Sequence, residues 1–163
     1  MLTGVIADTH DNIPMVRAAM GEFADRDVER VIHAGDFVAP FTMKALLEPG
    51  LPLIGVFGNN DGERKGLKKL LADLYEPPHR FELGGRTIVL THDEEDVSDQ
   101  MAQGADVVIF GHTHEVVVEE GPPLRLNPGE AGGWLHGQTT AALLELDDMD
   151  VEIIDLQPES QER

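Results

Sequence analysis

The sequence ADVVIFGHTH, residues 105–114, decides the fold and the place of the functional site. Residues 105–110 form an apolar run of strand length with β-branched side chains, and this run ends at Gly111. His112 and His114 follow, so both side chains come directly after a buried strand. In an open α/β sheet ligands bind at this position, because the loops at the carboxyl ends of the strands meet at one edge.

The same arrangement recurs at four other predicted strands, each of which ends in Asp, Asn or His. The apolar runs and the residues after them are Leu2–Ala7 with Asp8-Thr9-His10, Val31–Ala34 with Gly35-Asp36, Leu53–Phe57 with Gly58-Asn59-Asn60-Asp61, and Thr87–Thr91 with His92-Asp93. A histidine pair alone fits a polar turn as well as a metal site. Ordinary turns do not explain why five predicted strands all end in Asp, Asn or His. Together these strand ends predict a shared ligand site.

The first half of the chain alternates strands with helices, and the second half is mostly β. We predict helices after the first three strands, at residues 13–26, 40–47 and 63–74, with Asn12 as the candidate N-cap of the first helix. The leucine spacing predicts that the buried face of the third helix comprises Leu67, Leu70, Leu71 and Leu74. The order β-α-β-α-β-α indicates a parallel sheet with crossover helices. Gly84-Gly85 and Asp147–Asp150 predict hairpin turns, and a weaker helix is predicted at residues 94–103. The fold class is therefore α/β (α+β), with two packed sheets and helices on the outer faces.

Length and composition limit the class of protein. The 163 residues predict one domain, residues 1–157, followed by a loose polar tail at residues 158–163. Cysteine is absent, which excludes disulfides and thiolate metal ligands. Residues 1–3 lead straight into a strand, and no apolar run approaches the length of a membrane span. We therefore expect no signal peptide, no membrane partner and a cytoplasmic location.

The net charge of −19 is the unusual bulk property, with 31 acidic residues against 12 lysines and arginines. Such a field repels nucleic acid, so non-specific nucleic-acid binding is not expected. The charge fits an ordinary acidic protein or an acidic surface of the halophilic type. In the second case molar salt screens the self-repulsion to within about 3 Å. We take the second interpretation as the working hypothesis.

The polar residues at the strand ends form one set of candidate metal ligands. They are Asp8, His10, Asp36, Asn59, His92, His112 and His114. Oxygen and imidazole donors without sulfur suit Mn²⁺, Fe, Zn²⁺, Ni²⁺ or Co²⁺ better than Ca²⁺ or Mg²⁺. Seven donors exceed the need of one ion that keeps an open position, and they fit two ions bridged by one carboxylate. Two ions roughly 3.5–4 Å apart acidify a bridging water and bind a phosphoryl oxygen.

The order of these motifs resembles the calcineurin-like metallophosphoesterase superfamily. Its signature of D-x-H, G-D, G-N-x-D, a lone loop histidine and G-H-x-H is matched in sequence order by residues 8–10, 35–36, 58–61, 92 and 111–114. The small size and Asn127-Pro128-Gly129 resemble the small prokaryotic phosphodiesterase branch. The resemblance covers residues 2–156 and implies a β-sandwich of two mixed sheets flanked by helices.

The resemblance also implies roles for the ligands. Asp8, His10 and His114 would hold the first metal ion, Asn59, His92 and His112 the second, and Asp36 would bridge them. The residues predicted to act in catalysis are Asp36, Asn59, Asn60 and His112. The implied activity is hydrolysis of a small phosphodiester by a metal-bridging hydroxide, with two divalent transition-metal ions, Mn²⁺ first among them. The resemblance leaves a homodimer open.

Two departures from the family pattern concern residues beside the ligands. Asn60 stands where many relatives have the histidine that serves as proton donor, and Asp93 stands where they often have glycine. His33 is expected to be a hydrogen-bonded core residue. Arg64, Arg86 and Arg125 are candidates for meeting a substrate phosphate. A non-catalytic interaction scaffold on the same fold is the alternative function, and the complete set of seven ligands argues against it.

Overall fold

The strands and helices follow the predicted order in this computed structural model, which describes residues 1–158. The strands are β1 (Leu2–Ile6), β2 (Arg30–His33), β3 (Leu53–Val56), β4 (Leu74–Tyr75), β5 (His79–Leu83), β6 (Arg86–Leu90), β7 (Val107–Ile109), β8 (Val116–Glu119), β9 (Leu124–Pro128), β10 (Thr140–Glu145) and β11 (Asp150–Asp155). The helices are α1 (Ile13–Asp25), α2 (Pro40–Leu47), α3 (Arg64–Leu70) and α4 (Asp99–Ala102). Of the predicted polar tail, residues 159–163 lie outside the described residues.

Two mixed sheets carry the fold, as predicted. The first has the strand order β11-β10-β1-β2-β3-β4, in which β1 to β4 run parallel and β10 and β11 are antiparallel to their neighbours. The second has the order β5-β6-β7-β9-β8, with β6, β7 and β9 parallel. The predicted hairpins join β5 to β6 and β10 to β11. Within residues 1–158, no helix is long and apolar enough to cross a membrane.

Two apolar layers hold the sandwich together. Between the sheets, Val5, Ile32 and Val56 of the first sheet share a buried cluster with Ile88 and Val107 of the second. On the outer face of the first sheet, the helices α1, α2 and α3 bury a second cluster that includes Phe23, Leu46 and Leu67. Truncation of one such side chain to alanine costs about 2–5 kcal/mol. This packing fixes the strands whose carboxyl ends carry the candidate ligands.

The helix predicted for residues 63–74 is shorter than expected. It ends at Leu70, because Leu71 takes an extended conformation with φ −130° and ψ 106° after its N–H bonds Leu67 O. Leu74 belongs to β4, which pairs with β3 through Gly55. Leu71 and Leu74 are buried as expected, but only Leu71 follows the helix directly. The leucine spacing therefore marked burial correctly and assigned the wrong secondary structure to Leu74.

The helix predicted for residues 94–103 is two short segments, a 3-10 turn at Glu94–Asp96 and the helix α4. Each segment has its own cap, since Asp93 accepts from Glu95 N and Ser98 accepts from Met101 N. A capping side chain starts a new helical segment and so divides the region. Asn12, the predicted N-cap of α1, makes no capping hydrogen bond there.

Candidate metal centre

The five strand ends predicted to share a site meet between the two sheets. Two buried carboxylates, Asp8 after β1 and Asp36 after β2, lie in the middle of the group. His10 Nε2 lies 3.2 Å from Asp36 Oδ2 and 3.6 Å from Asp8 Oδ1. His92, after β6, places its Nε2 3.3 Å from Asp36 Oδ2 and 3.9 Å from Asp8 Oδ1. Both carboxylates therefore face imidazole nitrogens from two sides.

The two histidines after β7 complete the group. His114 Nε2 lies 3.5 Å from Asp8 Oδ1, and His112 Nδ1 lies 3.3 Å from His92 Nε2. The donor atoms fall into two overlapping sets, each with all atoms within 4.8 Å of one another: Asp8, His10 and His114, and Asp8, Asp36 and His92. Asp8 thus belongs to both sets.

Asn59 is placed differently from the other six candidates. Its side chain is exposed and makes no hydrogen bond to another residue of the described chain. It lines a cavity of about 260 Å³ together with His92, His112 and Asp93. The geometry therefore places Asn59 at the rim of the group. Its neighbour Asn60 contacts Asp36 directly, through the backbone N–H and through Nδ2.

The backbone at the candidate ligands adopts an unusual conformation. Asp8, His10, Asp36, His112 and His114 all have positive φ, between 40° and 70°. Such angles are uncommon for residues other than glycine, and they concentrate where a structure holds side chains for function. Hydrogen bonds across the loops keep them in place, among them those from Asp8 N to the carbonyl of residue 35 and from His10 N to Asp36 O.

Two glycines of the motifs are required by close approach to the carboxylates. A Cβ at Gly58 would clash with Asp36 Oδ1, and one at Gly111 would lie 2.8 Å from Asp8 Oδ2. Asp8 Oδ2 instead accepts a hydrogen bond from the backbone N–H of His112. The glycines before Asn59 and His112 therefore let the loops close over the carboxylates.

Several buried atoms at the centre fit a bound cation. Asp8 Oδ1, His10 Nε2 and His114 Nδ1 are buried and make no hydrogen bond to the described residues. Buried polar atoms without partners cost free energy, and they mark sites completed by an ion or water. Asp8 Oδ1 and His10 Nε2 face the same space as the other donors, so the residues present fit a metal ion.

The electrostatics of the group also favour a cation. The nearby carboxylates of Asp36 and then Asp8 raise the pKa of His10 to about 10. Burial raises the pKa of Asp36, but the nearby rings of His10 and His92 outweigh burial and bring that pKa below its ordinary value. Burial lowers the pKa of His92, and its contact with Asp36 more than reverses this. Two buried carboxylates thus draw positive charge to this space.

Comparison with known proteins gives the family. The profile of the calcineurin-like phosphoesterase superfamily domain matches residues 1–149. The chain is 40% identical over 154 residues to the phosphodiesterase MJ0936 of Methanocaldococcus jannaschii, covering 89% of this chain and 93% of that protein. The chain belongs to the calcineurin-like phosphoesterase superfamily. It is also 35% identical over 140 residues to a probable metallophosphoesterase of Methanothermobacter thermautotrophicus, covering 79% of this chain and 76% of that protein.

A solved structure superposes on nearly the whole of this calcineurin-like chain. The structure of a novel archaeal phosphodiesterase superposes with a TM-score of 0.86 at 36% identity, covering 96% of this chain and 100% of that one. The strand-end motifs therefore lie on a metallophosphoesterase fold, as the sequence predicted.

Two buried side chains of this calcineurin-like chain fix the loops that carry the ligands. Asp61 accepts hydrogen bonds from the backbone N–H groups of Asp36, Val38 and Gly58, so it joins the loops after β2 and β3. Burial raises the pKa of Asp61. Asn127 donates to Gly111 O and to a threonine hydroxyl in the GHTH loop. The last motif of the resemblance thus acts by holding this loop.

Glu130 is a residue of the site that the sequence did not reveal. Its side chain is buried, and its carboxylate accepts hydrogen bonds from the backbone N–H groups of Trp134 and Leu135. Its Oε2 lies 3.3 Å from His114 Nδ1 without forming a geometrically good hydrogen bond. A glutamate among 31 acidic residues carries no local signal of this role. Only the folded loop shows it.

His33 is a buried core histidine, as expected. Its Nδ1 accepts from Gly35 N at 3.0 Å, so Nε2 carries the proton that faces Thr9 Oγ1 at 3.2 Å. Burial lowers the pKa of His33 to about 3, which keeps the ring neutral. Thr9 Oγ1 donates in turn to Asp36 O. This chain of hydrogen bonds joins the loops that carry Asp8 and Asp36.

The structure distinguishes the three candidate arginines. Arg64 lines the same cavity as Asn59, His92 and His112. Arg125 forms ion pairs with Glu94 and Glu119, and Arg86 bonds the carbonyls of residues 146 and 147. Arg64 is therefore the arginine of these three that lines the cavity beside the candidate ligands.

Proposed function

We propose that this chain is a phosphodiesterase that uses two divalent transition-metal ions and water to cleave a small phosphodiester. The observation that carries the proposal is the pair of buried carboxylates, Asp8 and Asp36, with His10, His92 and His114 directed at them from three loops. The name of the relative from Methanocaldococcus jannaschii, a phosphodiesterase, supports cleavage of diesters.

The residues divide between two ions in the proposal. Asp8, His10 and His114 would hold one ion, Asn59, His92 and His112 the other, and Asp36 would lie between them. When bound, two such ions lower the pKa of water so that it can attack phosphorus, and they offset charge on the phosphoryl oxygens. Oxygen and imidazole donors without sulfur favour Mn²⁺, Ni²⁺, Fe, Zn²⁺ or Co²⁺, and Mn²⁺ is the first choice.

The protein's own contribution is to orient the donor atoms. His92 Nδ1 lies 2.8 Å from Ala34 O, so the proton of the neutral ring is on Nδ1. The lone pair of Nε2 is then available to bind a metal ion. His112 directs Nδ1 toward His92, while its Nε2 lies 3.7 Å from Asp93 Oδ2. Partners of this kind fix the tautomer and orientation of imidazole ligands. Asp93, which departs from the family pattern, thereby gains a positioning role for His112.

The alternative function, a non-catalytic interaction scaffold on the same fold, has less support. A scaffold gains nothing from buried carboxylates that face unpartnered imidazoles, because buried charge without compensation is costly. Asp8 is fully buried and His10 Nε2 lacks a hydrogen-bond partner within the described chain. These features fit catalysis better than a passive surface.

One assay tests the proposal. Purified protein is treated with a chelator, dialysed, and assayed with bis(p-nitrophenyl) phosphate and with p-nitrophenyl phosphate. We expect activity on the diester to disappear on chelation, to return with Mn²⁺ or Ni²⁺, and to exceed activity on the monoester. Undiminished activity in protein shown to be free of metal would overturn the metal-dependent proposal. A preference for the monoester would overturn the assignment as a phosphodiesterase.

A further inference from the structure

A groove beside the candidate metal centre gathers a large share of the positive charge of an acidic protein. Arg64, Lys65, Lys68 and Lys69 lie within one stretch of six residues and line a groove of about 590 Å³. Three of the four lysines of the chain are in this groove, although the net charge is −19. The remaining lysine, Lys44, lies on α2. This concentration distinguishes the groove from the rest of the surface.

The groove adjoins the cavity at the metal centre. Phe57, Arg64 and Glu76 line both spaces, and the second space is also lined by Asn59 and His112. The groove therefore lies next to the place where a substrate would put its reacting phosphate.

Two of the four cations are free to meet a ligand. Arg64 is engaged with Glu76 at 2.8 Å, and Lys68 donates to the carbonyls of residues 72 and 74. Lys65 and Lys69 are exposed and have no ion-pair or hydrogen-bond partner within the described chain. Glu76, the acidic member of the lining, is already neutralised by Arg64. The free charge in the groove is thus positive.

The floor of the groove is apolar. Phe57, Leu74 and Tyr75 form this floor, and Lys68 Nζ lies 4.9 Å from the centre of the Tyr75 ring. The Tyr75 ring is in turn stacked on His79 at 3.8 Å, which fixes its orientation. An apolar floor with a cationic rim complements a nucleoside that carries a phosphate.

We infer that this groove, defined by residues 57, 64, 65, 68, 69 and 74–76, binds the non-reacting part of a nucleotide-like substrate that carries a further phosphate. The inference rests on the proposed phosphodiesterase function for the placement of the reacting phosphate. Lys65 and Lys69 would bind the further phosphate, and the apolar floor would hold the sugar or base. The groove would thereby select substrates within the diester class.

A binding experiment tests the groove without relying on turnover. Calorimetric titration of the Mn²⁺-loaded protein compares thymidine 3′,5′-bisphosphate with thymidine 3′-monophosphate. We expect the bisphosphate to bind roughly tenfold more tightly, and the Lys65→Glu/Lys69→Glu variant to lose most of this preference, since exposed ion pairs contribute modestly one by one. Lys65→Gln/Lys69→Gln should lose part of it. Lys44→Glu is the control because it makes the same kind of substitution, once, outside the groove, and it should retain the wild-type preference.

The second readout is turnover of the thymidine dinucleotide with a 5′-phosphate (pTpT) and without it (TpT). The wild type should favour pTpT, and the ratio of the two kcat/KM values should fall in the groove variant but not in Lys44→Glu. Equal binding of the two thymidine phosphates by the wild type, or the same loss in Lys44→Glu, would overturn the inference. If bis(p-nitrophenyl) phosphate is cleaved but the bisphosphate preference is absent, the groove assignment alone fails. If no diester is cleaved but the preference depends on Lys65 and Lys69, the proposed function alone fails.

Discussion

Asn60 donates two hydrogen bonds of 2.9 Å to Asp36, from its backbone N–H to Oδ1 and from its Nδ2 to Oδ2. The same Oδ2 faces His10 at 3.2 Å and His92 at 3.3 Å. Asn60 therefore helps to hold the carboxylate that faces both histidines. An amide can donate a hydrogen bond, but it cannot give a proton to a leaving alkoxide.

The leaving group should consequently control the rate. We predict that kcat falls steeply as the pKa of the leaving alcohol rises, and that Asn60→His accelerates alkyl diesters more than nitrophenyl diesters. General acid catalysis by an imidazole is worth on the order of 10²–10⁴-fold, which sets the upper limit of the gain. A leaving-group series measured in both proteins tests this, with Asn60→Ala as control. Equal slopes for wild type and Asn60→His would show that position 60 is not where the acid is missing.

Asp93 should affect metal affinity through His112. Its carboxylate lies 3.7 Å from His112 Nε2, and it also caps the 3-10 turn by accepting from Glu95 N. We predict that Asp93→Ala weakens Mn²⁺ binding by about 10–100-fold, the usual effect of removing a partner of a ligand. Asp93→Asn can keep the cap but not the charge, so it separates the two roles. Glu95→Ala, which removes an exposed acid from the same turn, should bind Mn²⁺ like the wild type.

If all three variants bind Mn²⁺ equally, the positioning role of Asp93 is wrong. If Asp93→Asn behaves like the wild type while Asp93→Ala does not, the cap and not the charge is what matters. Titration calorimetry measures the affinities directly.

His33 should make folding stability depend on pH. Its folded pKa of about 3 lies below the ordinary value of 6.5, so between these pH values the unfolded chain binds the extra proton. Stability from this residue is therefore complete above pH 6.5 and is lost as the pH falls toward 3. Between pH 7 and pH 5 the loss is about 2 kcal/mol. His33→Gln should show a correspondingly smaller fall in unfolding free energy.

Urea unfolding at both pH values in the presence of a chelator measures the effect, and the matched control replaces exposed His136 with glutamine. The same fall in wild type and His33→Gln would contradict the neutral, buried state of the ring.

The surface charge should make folding depend on salt. With 31 acidic against 12 basic residues, self-repulsion destabilises the folded chain at low ionic strength and is screened at high ionic strength. We predict that the unfolding free energy rises steadily from dilute buffer to about 1 M KCl, where the screening length is roughly 3 Å. Circular dichroism across a salt series measures this. Full folding with unchanged stability in dilute buffer would contradict adaptation to high salt.

The main strands and the position of the site were predictable because their signals are local. Each apolar run ends in a polar motif, and Gly84-Gly85 marks a hairpin that the structure confirms. The pairing of β10 beside β1 lacked such a signal, since it joins residues more than a hundred positions apart. Leu74 was assigned to a helix because a buried leucine fits either a helix or a strand.

Within the site, the types of the candidate ligands were predictable from the sequence. The contacts that hold them in place were not. Positive φ at Asp8 and His10 is accompanied by hydrogen bonds to a distant loop, whereas local propensity argues against it. Glu130 acts through backbone N–H groups of its own loop, a role that any acidic residue in the sequence could have had. Asn12, expected to cap α1, instead donates to Gly132 O and ties this loop to the site.

The number of metal ions bound with and without Asp36 tests the central proposal most directly. Mass spectrometry of metal content is performed on the wild type, Asp36→Ala and the exposed control Asp155→Ala, with circular dichroism to verify folding. We predict two divalent ions for each chain of the wild type and of Asp155→Ala. For folded Asp36→Ala we predict fewer ions and no diester cleavage. Two ions and near-wild-type turnover in Asp36→Ala would contradict a centre organised around this carboxylate.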